Sequence, residues 1–291
     1  MLKAEEESVG FIMKKSNNDS CLAVIAGSGK LPSLLISYLK QSNRSFVVIG
    51  LDGNASPSIA RGTNHIFVRL GELGKALAFL KQNQVKELVF AGKLQRPSLA
   101  SIKPDMKGIA FLGKLGLGIL KSGAGDDKIL SQLIKLLEGQ GFKVIGPEKL
   151  LPSLLTPPGV LSKLKPTKQD LQDIKLGKSV LSAISPSDVG QAVIVENSYV
   201  LGIEAAEGTD NLILRCGKLR KEKTRSGILI KMKKAGQETR IDLPSIGVQT
   251  IESAHKAGLK GLALEAKHSL IIDLDAVIKR ANELKLFLIG I

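Results

Sequence analysis

Residues 22–30 read LAVIAGSGK, and this stretch decides the fold class. Leu22–Ala26 form an uninterrupted apolar run with β-branched members, the pattern of a strand buried on both faces. Gly27-Ser28-Gly29 ends the run with a turn. Pro32 follows where the first turn of a helix tolerates a missing N–H, and Leu34, Leu35, Tyr38 and Leu39 supply a helical stripe. Working outward, the pattern recurs. A strand is expected at Ser45–Gly50 (SFVVIG), a helix from about Glu72 to Gln82 and a strand at Leu88–Ala91. A helix from about Asp127 to Glu138 and a strand at Phe142–Ile145 follow. Alternating strands and helices with short connections predict a parallel sheet covered on both faces.

Residues 21–150 are therefore expected to form a Rossmann-like domain. Pro147, Pro152, Pro157, Pro158 and Pro166 then fall within twenty residues, a density that opposes continuous secondary structure and marks 151–166 as a linker. Residues 167–291 alternate again. A helix is predicted at Lys168–Ile184 and a hairpin from Ala192–Glu196 and Tyr199–Ala205 about Asn197-Ser198. Next come a helix after Thr209, a strand Ile228–Met232 and a helix Val248–Lys256. Strands Leu262–Glu265 and Leu270–Ile272, a helix Asp275–Leu284 and a strand Leu286–Ile289 close the chain. The fold class is α/β in two domains, the C-terminal one the smaller.

The first twenty residues are polar and mixed in charge, with no apolar segment of the signal-peptide kind, and read as a disordered tail. No run approaches the ~18 apolar residues of a spanning helix. Cys21 and Cys216 are isolated, without metal or redox spacing, as suits a reducing compartment. A soluble, cytoplasmic protein is expected. The 42 Lys and Arg against 27 Asp and Glu leave a net charge of +15, a field that attracts polyanions, although the lysines are spread along the chain and also fit a plain composition bias. With no Trp, two Tyr and eight Phe, stacking platforms for single-stranded nucleic acid are not expected.

Several segments carry candidate chemistry. The N–H groups of Gly27, Ser28 and Gly29 open a helix and could cradle a phosphate, but the motif is neither a dinucleotide fingerprint (Pro32 replaces the third glycine) nor a P-loop (Leu31 follows Lys30). Steric need at a strand-to-helix turn explains the glycines equally well. Lys93 and Arg96 follow a strand end, where open α/β sheets bind ligands; they also read as solvated loop cations. Asp126 and Asp127 start a helix, either as a cap or as hard oxygen ligands for Mg²⁺. Ile109–Leu120 is apolar and suits a buried amphipathic helix, or a surface for an acyl chain or membrane. Glu204–Asp210 (EAAEGTD) ends a strand with three acids and a hydroxyl, among them Glu207, Thr209 and Asp210. Gln237–Pro244 (QETRIDLP) concentrates an amide, a hydroxyl, a guanidinium and two carboxylates in one loop. There Arg240 can grip a phosphate, and Asp242 can activate water or hold a cation. The three histidines have no ligand spacing, and neither a Nudix pattern nor a Gly-x-Ser-x-Gly elbow is present. Pyrophosphate cleavage would have to rest on carboxylates, a divalent ion and basic residues.

In order along the chain, AGSGKLP (26–32), AGKLQRP (91–97), GDD (125–127), IEAAEGTD (203–210), QETRIDLPSIG (237–247) and the final FLIGI closely resemble one family. It is the UDP-2,3-diacylglucosamine pyrophosphatase of lipid A synthesis in Gram-negative bacteria, in the form without a metallophosphoesterase fold. The resemblance implies two α/β domains with the lipid-bearing substrate between them. It also implies Mg²⁺-dependent cleavage to UMP and 2,3-diacylglucosamine 1-phosphate, and an essential aspartate at Asp242. Arg240, from its chemistry and not from the resemblance, is a catalytic candidate beside it as a phosphate partner. Gly27, Ser28, Gly29, Lys93, Arg96, Glu207, Thr209, Asp210, Gln237 and Thr239 are expected on the substrate, and Asp126, Asp127 and Asp242 on the metal. Peripheral contact with the inner membrane and a homodimer are further expectations; nucleic acid is not an expected partner. Two other readings remain: a non-catalytic nucleotide- or polyanion-binding protein, and a pyrophosphatase of soluble UDP-sugars.

Overall fold

The computed structural model describes residues 20–93, 104–115, 126–220 and 224–291, with the backbone alone at 111, 112, 114, 115 and 126–129. The expected tail and Arg96 lie outside these residues. In the N-terminal half the described elements are β1 (Cys21–Ala26), α1 (Leu31–Gln41), β2 (Phe46–Leu51), β3 (His65–Val68) and α2 (Leu73–Gln82). They continue with β4 (Val85–Ala91), α3 (Met106–Leu115), α4 (Asp126–Gly139) and β5 (Lys143–Ile145). Every strand pairing is parallel and the order is β3-β2-β1-β4-β5. Strand β3, His65–Val68, is not among the strands expected from the sequence. It is a short edge strand, its first residues incompletely buried, and carries little apolar signal.

The two faces of the sheet bury separate sets of side chains. Ala23, Ile25, Val47, Ile49 and Leu88 pack with Leu77, Leu80, Ile134 and Leu137 on one side. Leu22, Val24, Val48 and Val89 pack with Leu35, Ile36 and Leu39 on the other. This explains why the strands read as continuous apolar runs: both faces lose water. It also fixes where a ligand can sit. The chain reverses its winding direction between β1 and β4, and a crevice opens beyond the carboxyl ends of such a strand pair.

That crevice mouth is closed by backbone. Gly27 N–H donates to Ala91 O (2.8 Å), Ser28 N–H to Lys93 O (2.9 Å) and Lys93 N–H to Ser28 O (2.9 Å), while the Ser28 hydroxyl also donates to Lys93 O (2.9 Å). Both motif glycines exist for this contact. A Cβ on Gly27 would stand 2.5 Å from Lys93 O, and one on Gly92, whose φ is +94°, would overlap Ser28 O.

The C-terminal half contains β6 (Gly159–Val160), α5 (Lys168–Ile184), β7 (Ala192–Glu196), β8 (Tyr199–Ile203), α6 (Gly208–Leu219) and β9 (Ile228–Lys231). It goes on with β10 (Ser245–Ile246), α7 (Val248–Lys256), β11 (Gly261–Leu264), β12 (Leu270–Ile271), α8 (Leu274–Glu283) and β13 (Phe287–Gly290). Its main sheet runs β6-β13-β11-β9-β7-β8, with β9, β11 and β13 parallel and the β7–β8 hairpin and β6 antiparallel. Thr167 caps α5 through a capping box with Asp170, whose carboxylate also pairs with Lys260 (2.8 Å). The hairpin turn has positive φ at both Asn197 and Ser198, and buried Asp173 accepts from both of their N–H groups.

The proline-rich stretch is not a free tether. Thr156 is fully buried, donates its N–H to Ser269 O (2.9 Å) and shares a hydroxyl hydrogen bond with Ser269 (2.8 Å), and β6 adds an antiparallel edge to β13. Prolines oppose helix and central strand but not an edge strand.

Gly92→Ala should lower stability by at least ~1–3 kcal/mol, because an added Cβ meets rigid backbone in a left-handed conformation. Gly113→Ala, in α3 with open space about it, should be neutral or stabilising by about 0.5–1 kcal/mol. Urea denaturation of both variants checks the contrast.

Candidate functional site

The carboxyl ends of the two sheets meet. Lys93 follows β4 in the first domain; Lys231 ends β9 in the second. Beside Lys231, Ala192 opens β7 in register with it, and Glu204 leaves β8 and donates its N–H to Ala192 O. One end of the second sheet therefore gathers Lys231 and Glu204, and α6 begins immediately beyond with Thr209 and Asp210.

Across the gap, Lys93 Nζ lies 3.8 Å from Asp210 Oδ2, an exposed and loose ion pair. Behind it the contacts tighten. Lys231 is buried and donates to the Thr209 hydroxyl (2.8 Å) and to Ser245 O (3.3 Å). The Thr209 hydroxyl donates in turn to Glu204 Oε1 (2.6 Å), and Glu204 Oε2 accepts from Gln191 N–H (3.0 Å). Burial pushes the Lys231 ammonium below the ordinary lysine range; the Glu204 carboxylate opposes the shift, Lys93 adds to it, and Asp242 and Asp210 resist it. Lys93, Asp210, Asp242 and Glu204 thus all act on one buried ammonium.

Asp242 is delivered by the loop after β9. Its N–H and that of Ile241 both donate to Glu238 O (each 3.1 Å), which turns the chain. Gln237, buried, gives its side-chain amide to Asp242 Oδ2 (2.7 Å) and Gln191 Oε1 (3.3 Å) and accepts from Lys234 N–H (2.9 Å). Gln237 was expected on the substrate; with both amide protons engaged by protein it acts as a brace for Asp242 and the loop. Thr239, half-buried, makes no side-chain hydrogen bond among the described residues.

Arg240 faces elsewhere. Its Nε and one terminal nitrogen clasp Glu238 (2.8 Å each), and the other terminal nitrogen reaches Glu138 at the end of α4 (2.6 Å). Between Arg240 and Asp242, Ile241 is partly buried and packs against the first-domain core. The guanidinium expected on a phosphate is held here as a clamp between domains. These contacts use three of its five N–H groups, and the side chain stays 37% exposed, so two N–H groups remain for an anion.

Other expectations shift likewise. Gly27 gives its N–H to Ala91 O at the end of β4 and Ser28 to Lys93 O just beyond it, so of the three turn residues only Gly29, at φ +96° with open space around it, is exposed. Glu207 pairs with Arg215 (2.8 Å) and accepts from Ala205 N–H, which fixes the approach to α6 rather than leaving a free carboxylate. Hydrogen bonding from Arg215 holds its carboxyl below the ordinary range. Asp126 and Asp127 form the first turn of α4; their side chains lie outside the described ones. Lys231 is not singled out from the sequence, and Glu204 is named there only as the first acid of its segment, without a role. The signal was a lysine inside an apolar run, Ile228–Met232, where a buried charge demands an explanation.

Among the described residues no group of three or more His, Cys, Asp and Glu side chains is placed to hold a metal. That donor set still suits Mg²⁺, which keeps several waters and takes one or two carboxylates together with substrate phosphates. Asp242 and Asp210 are carboxylates of that kind, both within electrostatic reach of Lys231.

Two family models account for nearly all of the described chain: the LpxI N-terminal domain matches residues 21–154, and the LpxI C-terminal domain matches 157–289. The chain belongs to the LpxI family. A relative from Caulobacter vibrioides, UDP-2,3-diacylglucosamine pyrophosphatase LpxI, is 36% identical over 277 residues, which cover 93% of this chain and 97% of that protein. The resemblance carried by the six ordered motifs holds at the level of the LpxI family. The boundary between the two LpxI models, at 154–157, falls where Leu155 bridges to Leu270 and the chain joins the second sheet.

The Arg240 clamp has a pH signature. Hydrogen bonding from Arg240 holds the Glu238 carboxyl below its ordinary 4.5, partly offset by burial. A lowered carboxylate contributes stability that is complete above the unfolded-state value and fades as pH falls through the folded one. Arg240→Gln should cost about 1 kcal/mol at pH 7, since the pair is partly exposed, and nearly nothing below the folded-state value. Denaturant titrations of both proteins from pH 7 to pH 3 read the difference.

Proposed function

We propose that this chain hydrolyses the pyrophosphate of UDP-2,3-diacylglucosamine, releasing UMP and 2,3-diacylglucosamine 1-phosphate, with Mg²⁺ as cofactor. The observation that carries the reading is the meeting of strand-end cations and carboxylates from two domains, Lys93 against Asp210, Lys231 and Asp242, in a chain of the LpxI family. The name of the Caulobacter vibrioides relative supplies the substrate.

Hydrolysis adds water across the P–O–P bridge. The water oxygen bonds to one phosphorus, the bridging oxygen leaves with its electron pair on the other phosphate, and of the two water protons one stays on a phosphate oxygen and one goes to solvent. Lys93 offsets charge on the pyrophosphate from the first domain. Asp242, fixed by Gln237, is the carboxylate best placed to orient the water or hold a cation. Asp242 and Asp210 are the described residues that would hold Mg²⁺, with Asp126 and Asp127 as further carboxylates of the family motifs. The ion would supply Lewis-acid stabilisation of phosphoryl oxygens.

The acyl chains need an apolar surface. Met106 and Ile109 on α3 are strongly exposed, 87% and 58%, with Lys107 between them. An apolar face edged by lysine suits the boundary of an anionic membrane, and the net charge of +15 favours approach to it. No helix among the described residues is long and apolar enough to cross a membrane.

Wild-type protein should release UMP from UDP-2,3-diacylglucosamine in Mg²⁺, lose that activity in EDTA, and leave UDP-N-acetylglucosamine intact. Asp242→Asn should reduce turnover at least ~100-fold at an unchanged melting temperature. UMP from neither substrate would sink the enzyme reading, equal turnover of both would remove lipid specificity, and a fully active Asp242→Asn would remove Asp242 from the chemistry.

A further inference from the structure

Four of the buried carboxylates among the described residues have cations or N–H groups that account for them. Glu87 meets Arg44 and Lys143, Asp170 meets Lys260, Asp173 meets the N–H groups of the hairpin turn, and Glu196 meets Arg220. Lys231 is the buried cation of that set, and it differs. No carboxylate among the described residues lies within ion-pairing distance of its Nζ. Two neutral oxygens serve an ammonium that carries three protons.

A charge removed from water without a counter-charge is costly, and the cost is relieved when an anion arrives. The position is equally specific. Lys231 stands at the carboxyl end of a parallel strand, and the cation Lys93 acts on it from the other domain. The Lys93 charge opposes the Lys231 charge, whereas Asp210, Asp242 and Glu204 offset it without any of them reaching ion-pairing distance of the Lys231 ammonium. The hydrogen-bond chain behind Lys231 has one direction only. An ammonium can only donate, so the Thr209 hydroxyl must donate onward to Glu204. This chain holds Nζ in place and aims it.

We propose that Lys231 is a catalytic residue of this site, gripping a phosphoryl oxygen of the pyrophosphate opposite Lys93, with Thr209 and Glu204 as the residues that position it. The inference rests on the pyrophosphatase reading for its substrate. Lys231 forms no covalent bond; it donates a hydrogen bond to an oxygen whose negative charge grows as the bridging P–O bond breaks. Its depressed proton affinity, caused first by burial, agrees with a seat that lacks an anion.

The test uses full-length Lys231→Met, Thr209→Val and Thr209→Ser. UMP release from UDP-2,3-diacylglucosamine and the melting temperature with and without UMP are measured for each. Lys231→Met should lose ~100-fold or more in turnover. Its melting temperature should hold or rise, because an apolar side chain replaces an unpaired buried charge. The rise in melting temperature that UMP gives the wild type should shrink or vanish. Thr209→Val should lose about tenfold in kcat with KM little changed, and Thr209→Ser, which keeps the hydroxyl, should recover most of it. Near-normal turnover in a folded Lys231→Met, or an undiminished UMP effect, overturns the proposal. So does a steep fall in its melting temperature with normal turnover in the folded fraction, which is the mark of a structural lysine. If wild-type protein releases no UMP, the pyrophosphatase reading fails on its own. The UMP-dependent melting shift then decides Lys231: lost in Lys231→Met it stands as a phosphate seat, and absent in the wild type it falls.

Discussion

The backbone contact between Ser28 and Lys93 sets the geometry of the first domain's ligand face. It closes the mouth between β1 and β4, where the winding of the sheet reverses. Because two chains approach there at main-chain distance, glycine is required on both sides, at 27 and 92. The contact uses N–H groups that a glycine turn might otherwise offer to a phosphate. In return it fixes the backbone of Lys93, so that a side chain, rather than a nest of amides, presents the positive charge. A strand-to-helix glycine turn is a structural device first, and whether its donors remain free depends on what the neighbouring strand brings to it.

The loop at 237–247 performs the matching task for the second domain through three adjacent side chains with separate destinations. Arg240 reaches Glu138 across the interface, Ile241 packs against the first-domain core, and Asp242 returns to the cations and carboxylates at the strand ends. Alternating directions over consecutive residues follow from the turn that Glu238 O closes. One loop thereby docks the domains and places the candidate catalytic carboxylate, which ties the site's geometry to the interface. Its density of mixed functional groups reflects both duties.

The architecture was largely legible in the sequence because both sheets are aliphatic and doubly covered, so that strands such as Leu22–Ala26 appear as unbroken apolar runs. Short edge strands escaped: β3 and β6 bury too little to write a pattern. The site was legible as motifs but not as roles. Lys93 meets Asp210, and Asp210 and Asp242 both act on Lys231, whereas Arg240 and Glu207 are engaged by partners 102 and 8 residues away in sequence, and composition cannot anticipate such pairings. Lys231 was hidden for the opposite reason. Within an apolar strand a single lysine looks like the strand's solvent edge, and only the packing of β7, α6 and the Asp242 loop around it removes the water.

The placement of a phosphate between the two sheets is what the architecture most strongly implies, and a crystal structure of the full chain with UMP and Mg²⁺ measures it directly. The nucleotide phosphate should lie between the Lys93 and Lys231 ammonium groups with Asp242 beside it. A phosphate seated within one domain alone, with Lys231 still hydrogen-bonded only to Thr209 and Ser245, would contradict a site shared by the two domains.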